Sequence, residues 1–206
     1  MLYDIEKDEI IPTKGPFFRK FFPLHNKYLE RERQVIERLK MNPHPNIVSY
    51  YTVTDRYIDM ELLTPLDKDS LTDILPVMER VKSFLQGIGI YYVDWKLDNL
   101  AKGSRGYTLI DFDSSGIADN DYGNGLNPIV WTLEPTGWSY QEAKKTCATP
   151  KEIDDWSFDY NLVKPYQKLI RNMDCTCPEC LPSTNSSNTY GLETPIACET
   201  GGLIYE

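Results

Sequence analysis

Apolar residues recur at three- and four-residue steps from Leu71 to Ile88, through Ile74, Leu75, Met78, Val81 and Leu85. That spacing predicts a helix with one buried stripe. Pro76 falls within it and should kink the helix or split off a short first piece, while Gly87 and Gly89 let the chain turn out at the far end. A second helical pattern runs from Asn26 to Met41, where Asn26 can cap and Tyr28, Leu29, Glu32, Val35, Ile36 and Leu39 share one side. Glu32 is the odd member of that side. Either it pairs inside the protein, or it joins Arg33, Glu37 and Arg38 on a solvated face with i,i+4 partners.

Strand signals are shorter. Ile10 to Phe22 is an aromatic-rich strand candidate broken by Pro12 and Pro16. Lys20 stands there among Phe17, Phe18, Phe21 and Phe22, and a charge in apolar surroundings needs a partner. The alternative is an edge strand whose lysine points to solvent. Pro43 and Pro45 end the preceding helix and Ile47-Val48 begin a strand. Ser49 to Thr54 and Tyr57 to Leu63 then read as two strands around a turn at Asp55-Arg56, with Ile58, Met60 and Leu62 alternating. Ser114 to Pro150, rich in Gly, Asn, Asp, Pro and Thr, predicts a long surface loop. The mixture of helices and strands indicates an α+β fold.

Composition narrows the function. The chain has 206 residues and a formal net charge of −9, which disfavours a general nucleic-acid binder, since such proteins need a cationic footprint. No apolar run is long enough to span a bilayer, and the acidic start lacks the order of a signal peptide, so the expectation is a soluble, intracellular protein. Four of the five cysteines lie in the tail as Cys175, Cys177, Cys180 and Cys198, around a linker-like Ser183 to Thr189. They are either reduced, free thiols or a Zn²⁺ site of irregular spacing.

The chemistry concentrates in Tyr92-Val93-Asp94-Trp95-Lys96-Leu97-Asp98-Asn99-Leu100, followed by Leu109-Ile110-Asp111-Phe112-Asp113. A loop offers a carboxylate, an ammonium two residues on and an amide five residues on; a short apolar strand then delivers a second carboxylate. Moving a γ-phosphoryl group needs an acceptor to orient the attacking hydroxyl, a cation against the phosphate oxygens and oxygen ligands for Mg²⁺. Asp94, Lys96, Asn99 and Asp111 supply these in order.

In these residues the chain resembles the eukaryotic-type protein kinases, with their H-R-D-L-K-x-x-N and D-F-G loops. Asp94, Lys96, Asn99, Asp111 and Phe112 fall in register; Tyr92, Val93 and Asp113 replace the family's His, Arg and Gly. Further along the resemblance, Phe17-Phe18-Arg19-Lys20 stands where the family has V-A-I-K, and Pro43 to Val48 nearly repeats the H-P-N-I-V after its C helix. Met60-Glu61-Leu62-Leu63 is similar to its hinge, and Asp154-Asp155-Trp156-Ser157 to the start of its F helix. The G-x-G-x-x-G loop over the phosphates is missing, Gly15 being the lone glycine there, and the family's last helices have no room. Such a reduced kinase is similar to those in the genomes of large DNA viruses.

The resemblance implies a two-lobed fold with a shortened N-lobe and a truncated C-lobe: a small lobe over 1–63, a large lobe over 64–172 and a cysteine-containing tail over 173–206. It implies an ATP- and Mg²⁺-dependent (or Mn²⁺-dependent) protein serine/threonine kinase. Asp94 and Lys96 would be catalytic, and Asn99 and Asp111 would be metal ligands. Lys20 and Glu32 would place the nucleotide, with Lys14 as a substitute for Lys20. Met60, Glu61 and Leu63 would line the adenine site, with Met60 as gatekeeper, and Asp154 would tie the catalytic loop to a helix. Lys96 selects serine or threonine over tyrosine in that family. The partners implied are a protein substrate and ATP, with no membrane, in host cytoplasm, nucleus or virion if the source is viral. The rival is a pseudokinase that binds nucleotide or a partner without turnover, or a structural scaffold built on a decayed kinase fold.

Overall fold

The computed structural model describes residues 2–4, 9–11, 17–23, 26–66, 71, 73–119 and 131–174. Lys14, Gly15 and the tail cysteines lie outside them. The chain divides into two compact units, Met1–Lys164 and Pro165–Glu206. The fold mixes helix and sheet, as the sequence patterns indicate.

The strands are β1 (Leu2–Asp4), β2 (Glu9–Ile11), β3 (Phe17–Phe21), β4 (Tyr50–Val53), β5 (Tyr57–Glu61), β6 (Thr64–Pro65), β7 (Ile90–Tyr91), β8 (Leu100–Gly103), β9 (Gly106–Leu109) and β10 (Gly116–Ile117). The helices are α1 (Lys27–Met41), α2 (Ile74–Gly87), α3 (Trp138–Ala143), α4 (Pro150–Phe158) and α5 (Lys164–Asp174). β3, β5 and β4 form an antiparallel sheet in that order, with Lys20 opposite Ile58 and Phe18 opposite Met60. The apolar side of α1 covers it: Leu29 and Ile36 pack with Phe22, Val48, Ile58 and Met60, joined by the partly buried Ile110. Asn26 Oδ1 accepts from the Tyr28 N–H at 2.8 Å, capping α1.

A second antiparallel sheet, ordered β6-β8-β9, carries the loops with the carboxylates, and β7 pairs with β10. The Asn46–Val48 segment latches onto β9: Leu109 N–H donates to Asn46 O, and Val48 N–H donates to Leu109 O. A second core gathers Tyr91, Val93, Ala118, Tyr140, Ala143 and Ile153. Thr149 and Glu152 cap α4 reciprocally, with Pro150 as its first residue.

Two expectations need correction. The helix begins at Ile74 rather than Leu71, so Pro76 is its third residue; N–H groups in the first turn have no helical partner, and proline there breaks nothing. Nor is Ser114 to Pro150 loop throughout. It contains β10 and α3, and Tyr140 and Ala143 are buried. The turn-rich composition concealed one helical turn and a half anchored by aromatic packing, including Tyr140 against Trp131 with ring centroids 6.1 Å apart.

Candidate functional site

Lys20 is the meeting point. It lies on β3 facing α1, and its Nζ is 2.9 Å from Glu32 Oε2, 2.7 Å from Asp111 Oδ1 and 3.5 Å from Asp113 Oδ2. Period two along β3 sends Arg19 to the opposite face, where it forks onto Asp59. Burial works against the Lys20 ammonium, but the charges of Glu32 and Asp111 and their hydrogen bonds outweigh it and hold the pKa above the usual lysine value. Glu32 is fully buried, and its other oxygen, Oε1, has no partner among the described residues. Burial raises its pKa, with Lys20 pulling the other way. The solvated-face alternative for Glu32 is thereby excluded, as is a solvent-pointing Lys20.

The loop from Tyr92 to Asn99 is held in an unusual backbone. Val93 has φ 54°, a left-handed conformation costly for a β-branched residue. The buried Asp154 on α4 holds it there. Its Oδ1 accepts from Val93 N–H at 3.0 Å and Trp95 Nε1–H at 2.7 Å, and its Oδ2 accepts from Gln86 Nε2 at 2.9 Å. Asp94 follows directly. Its Oδ2 accepts from Lys96 Nζ and from Asn99 Nδ2, both at 2.8 Å, and its carbonyl accepts from the same amide at 3.0 Å. A 3-10 turn over Leu97–Asn99 brings Asn99 back to Asp94. Burial opposes the Lys96 charge, and Asp94 overrides it, raising that pKa also.

Asp111 is delivered from the next strand. Ile110 N–H donates to Asn99 O at 3.0 Å, and Tyr92 Oη donates to Ile110 O at 2.6 Å. Asp111 itself has φ 61°, which aims it back at Lys20. Beneath it Phe112 is buried and packs edge-on against Tyr92, with ring centroids 5.0 Å apart. Tyr92, standing at the resembled family's His position, thus braces both loops. The Asp111 carboxylate and the Asn99 amide, the two ligands the sequence suggests, carry oxygen donors of the kind a hard cation takes. They fit Mg²⁺, which is commonly held by one or two protein groups together with phosphate and water.

Beside these groups lies an apolar cleft of about 540 Å³, a size that suits a small ligand. Met60, Glu61 and Leu63 line it, with Phe18 on β3, Leu100 on β8 and Ile110 just after β9. The sequence-derived set therefore assembles in one region: Lys20, Glu32 and Asp111 in contact, Asp94, Lys96 and Asn99 in contact, and the cleft residues alongside.

Three participants were missed. Asp113 is a third carboxylate on Lys20, visible in the sequence only as an Asp where the resembled family has Gly. Tyr50 Oη is buried without a partner among the described residues, and its pKa is pushed well up by burial and then by Glu32, Asp111 and Asp113; no sequence signal singles it out. Arg31, next to Glu32, donates to the Ser115 carbonyl at 3.4 Å and to the Glu134 carbonyl, tying α1 to the segment after Asp113. In comparisons with known proteins, no family model matches the chain and no curated protein matches it.

Proposed function

We propose that the chain is a reduced, two-lobed protein kinase-like phosphotransferase that moves the γ-phosphoryl group of ATP to a serine or threonine hydroxyl of a protein. The observation that carries this reading is the Lys20 ammonium bonded to both Glu32 and Asp111, partners 12 and 91 residues away on a helix and a loop. An ion-pair triad assembled from such distant positions beside an apolar cleft suits a group that grips phosphate oxygens while a flat base occupies the cleft.

Each residue then has a task. Asp94, its Oδ2 steadied by Lys96 and Asn99, orients the acceptor hydroxyl and takes its proton. Lys96 keeps its charge and lies against the transferred phosphoryl oxygens. Lys20 positions the α- and β-phosphates, with Glu32 fixing its rotamer. Asn99 and Asp111 would hold Mg²⁺, which supplies positive charge to the β- and γ-phosphate oxygens. The hydrogen bonds of Asp154 to Val93 and Trp95 keep Asp94 in register, where an error of about 1 Å can cost about 100-fold in rate.

The test is incubation with γ-labelled ATP, Mg²⁺ or Mn²⁺ and a mixed basic-protein substrate, beside Asp94→Ala and Asp111→Ala. Label that appears with wild type and vanishes with both variants is expected; turnover unchanged in Asp94→Ala would sink the assignment. The second reading, a nucleotide-binding module without turnover, is favoured by Asp113 crowding Lys20. It predicts that ATP with Mg²⁺ raises the melting temperature with no label transferred.

A further inference from the structure

We infer that Asp113 is a specificity-determining residue that makes this site accept a nucleotide polyphosphate only as its divalent-cation complex and reject the metal-free polyanion. The inference rests on the nucleotide site proposed above.

An ammonium has three hydrogens to give, and around Lys20 the three nearest acceptors are all carboxylates: Glu32, Asp111 and Asp113. One cation facing three anions leaves the pocket net negative where the phosphates must lie. The neighbouring Lys96 does not repair this, because it is matched by Asp94 at 2.8 Å. Arg31 is also close enough to feel Asp113, but Glu134 is the larger charge acting on it, and its hydrogen bonds go to the Ser115 and Glu134 carbonyls. Tyr50 is a neutral phenol. Among the described residues the excess charge is therefore unbalanced.

The three carboxylates are not equivalent. Glu32 is buried and orients Lys20, and Asp111 holds the short 2.7 Å contact. Asp113 makes the longest contact, 3.5 Å, and its side chain is 26% exposed. Its Oδ1 takes a bond from Ser114 Oγ at 3.1 Å. Lys20 would be paired and oriented without it. What Asp113 adds is one negative charge beside the phosphate path, in a partly desolvated place where like charges repel strongly. A phosphate chain bearing its own divalent cation cancels that repulsion; a bare chain does not.

The measurement is calorimetric titration of the whole chain with adenosine, AMP, ADP and ATP, once in EDTA and once in excess Mg²⁺. In wild type the affinity in EDTA should fall with each added phosphate, and in Mg²⁺ ATP should bind tightest. Asp113→Asn, which keeps an acceptor for Ser114, should narrow the ratio between ATP affinities in Mg²⁺ and in EDTA by about tenfold. The wild-type series needs no variant to fold. Affinity in EDTA that rises with phosphate number overturns the inference, as does a ratio unchanged in a folded Asp113→Asn. Binding of Mg²⁺-ATP with an unchanged ratio sinks the selector alone, whereas no binding of any ligand in either medium sinks the nucleotide site with it.

Discussion

Replacing Asp154 with alanine should be among the most destabilising single changes to the fold. The side chain is fully buried and receives three hydrogen bonds, from Val93 N–H, Trp95 Nε1–H and Gln86 Nε2. Alanine strands two of these donors outright, since Val93 and Trp95 are also buried, while Gln86 retains Asp155 Oδ1 at 3.1 Å. A buried donor left unpaired costs about 1–3 kcal/mol. The left-handed Val93 then loses what holds it, adding to the loss or letting the loop relax. Removing a buried carboxylate returns part of its desolvation cost. The net expectation is a loss of about 3–5 kcal/mol, which for a chain of this size lowers the melting temperature by about 6–20 °C. Asp154→Asn keeps one acceptor for Val93 and Trp95 but turns an amide toward Gln86, and should lose less than half as much. Urea unfolding followed by tryptophan fluorescence measures both variants. An Asp154→Ala protein within about 1 kcal/mol of wild type would refute the idea that this carboxylate holds the loop from Tyr92 to Asn99.

Two further predictions concern other parts of the fold. Arg19 forks onto Asp59 with both side chains 8% exposed and its guanidinium 3.8 Å above the Tyr57 ring; Asp59→Ala should cost about 2–4 kcal/mol in urea unfolding, and Arg19→Met in the same chain should recover part of it, because the penalty is a stranded charge. His44 Nδ1 accepts from Asn46 N–H at 3.2 Å and its ring packs on Phe84, while burial and then Arg80 lower its pKa. A depressed folded pKa means stability that is present above the unfolded histidine value and lost as pH falls through the folded one. Wild type should therefore lose melting temperature between about pH 7 and pH 5, and His44→Gln should flatten that part of the profile; an unchanged slope would contradict it.

The sequence by itself determined the elements and the identity of the chemical groups. The stripe on α1 named its buried side, including Glu32, because a 3.6-residue period is a local property of the chain. The spacing of residues 94, 96 and 99 made their mutual contact legible, since a loop of six residues has little freedom about where its ends point. Pro76 was misjudged because a helix start depends on how the preceding chain leaves the core, and α3 was hidden because its stability comes from Tyr140 and Ala143 packing on residues far away in sequence.

Only the tertiary structure decided who pairs with whom. Lys20 could have pointed to solvent; the register of β3 on β5 and the position of α1 bring it to Glu32, and the left-handed Asp111 completes the contact. The same folding brings Asp113 to the same ammonium and buries Tyr50 Oη nearby, and no periodicity could have announced either. Pair energies between charges depend on distances of a few ångströms and on how much water is excluded. Both are set by the packing of distant segments rather than by the order of residues along the chain.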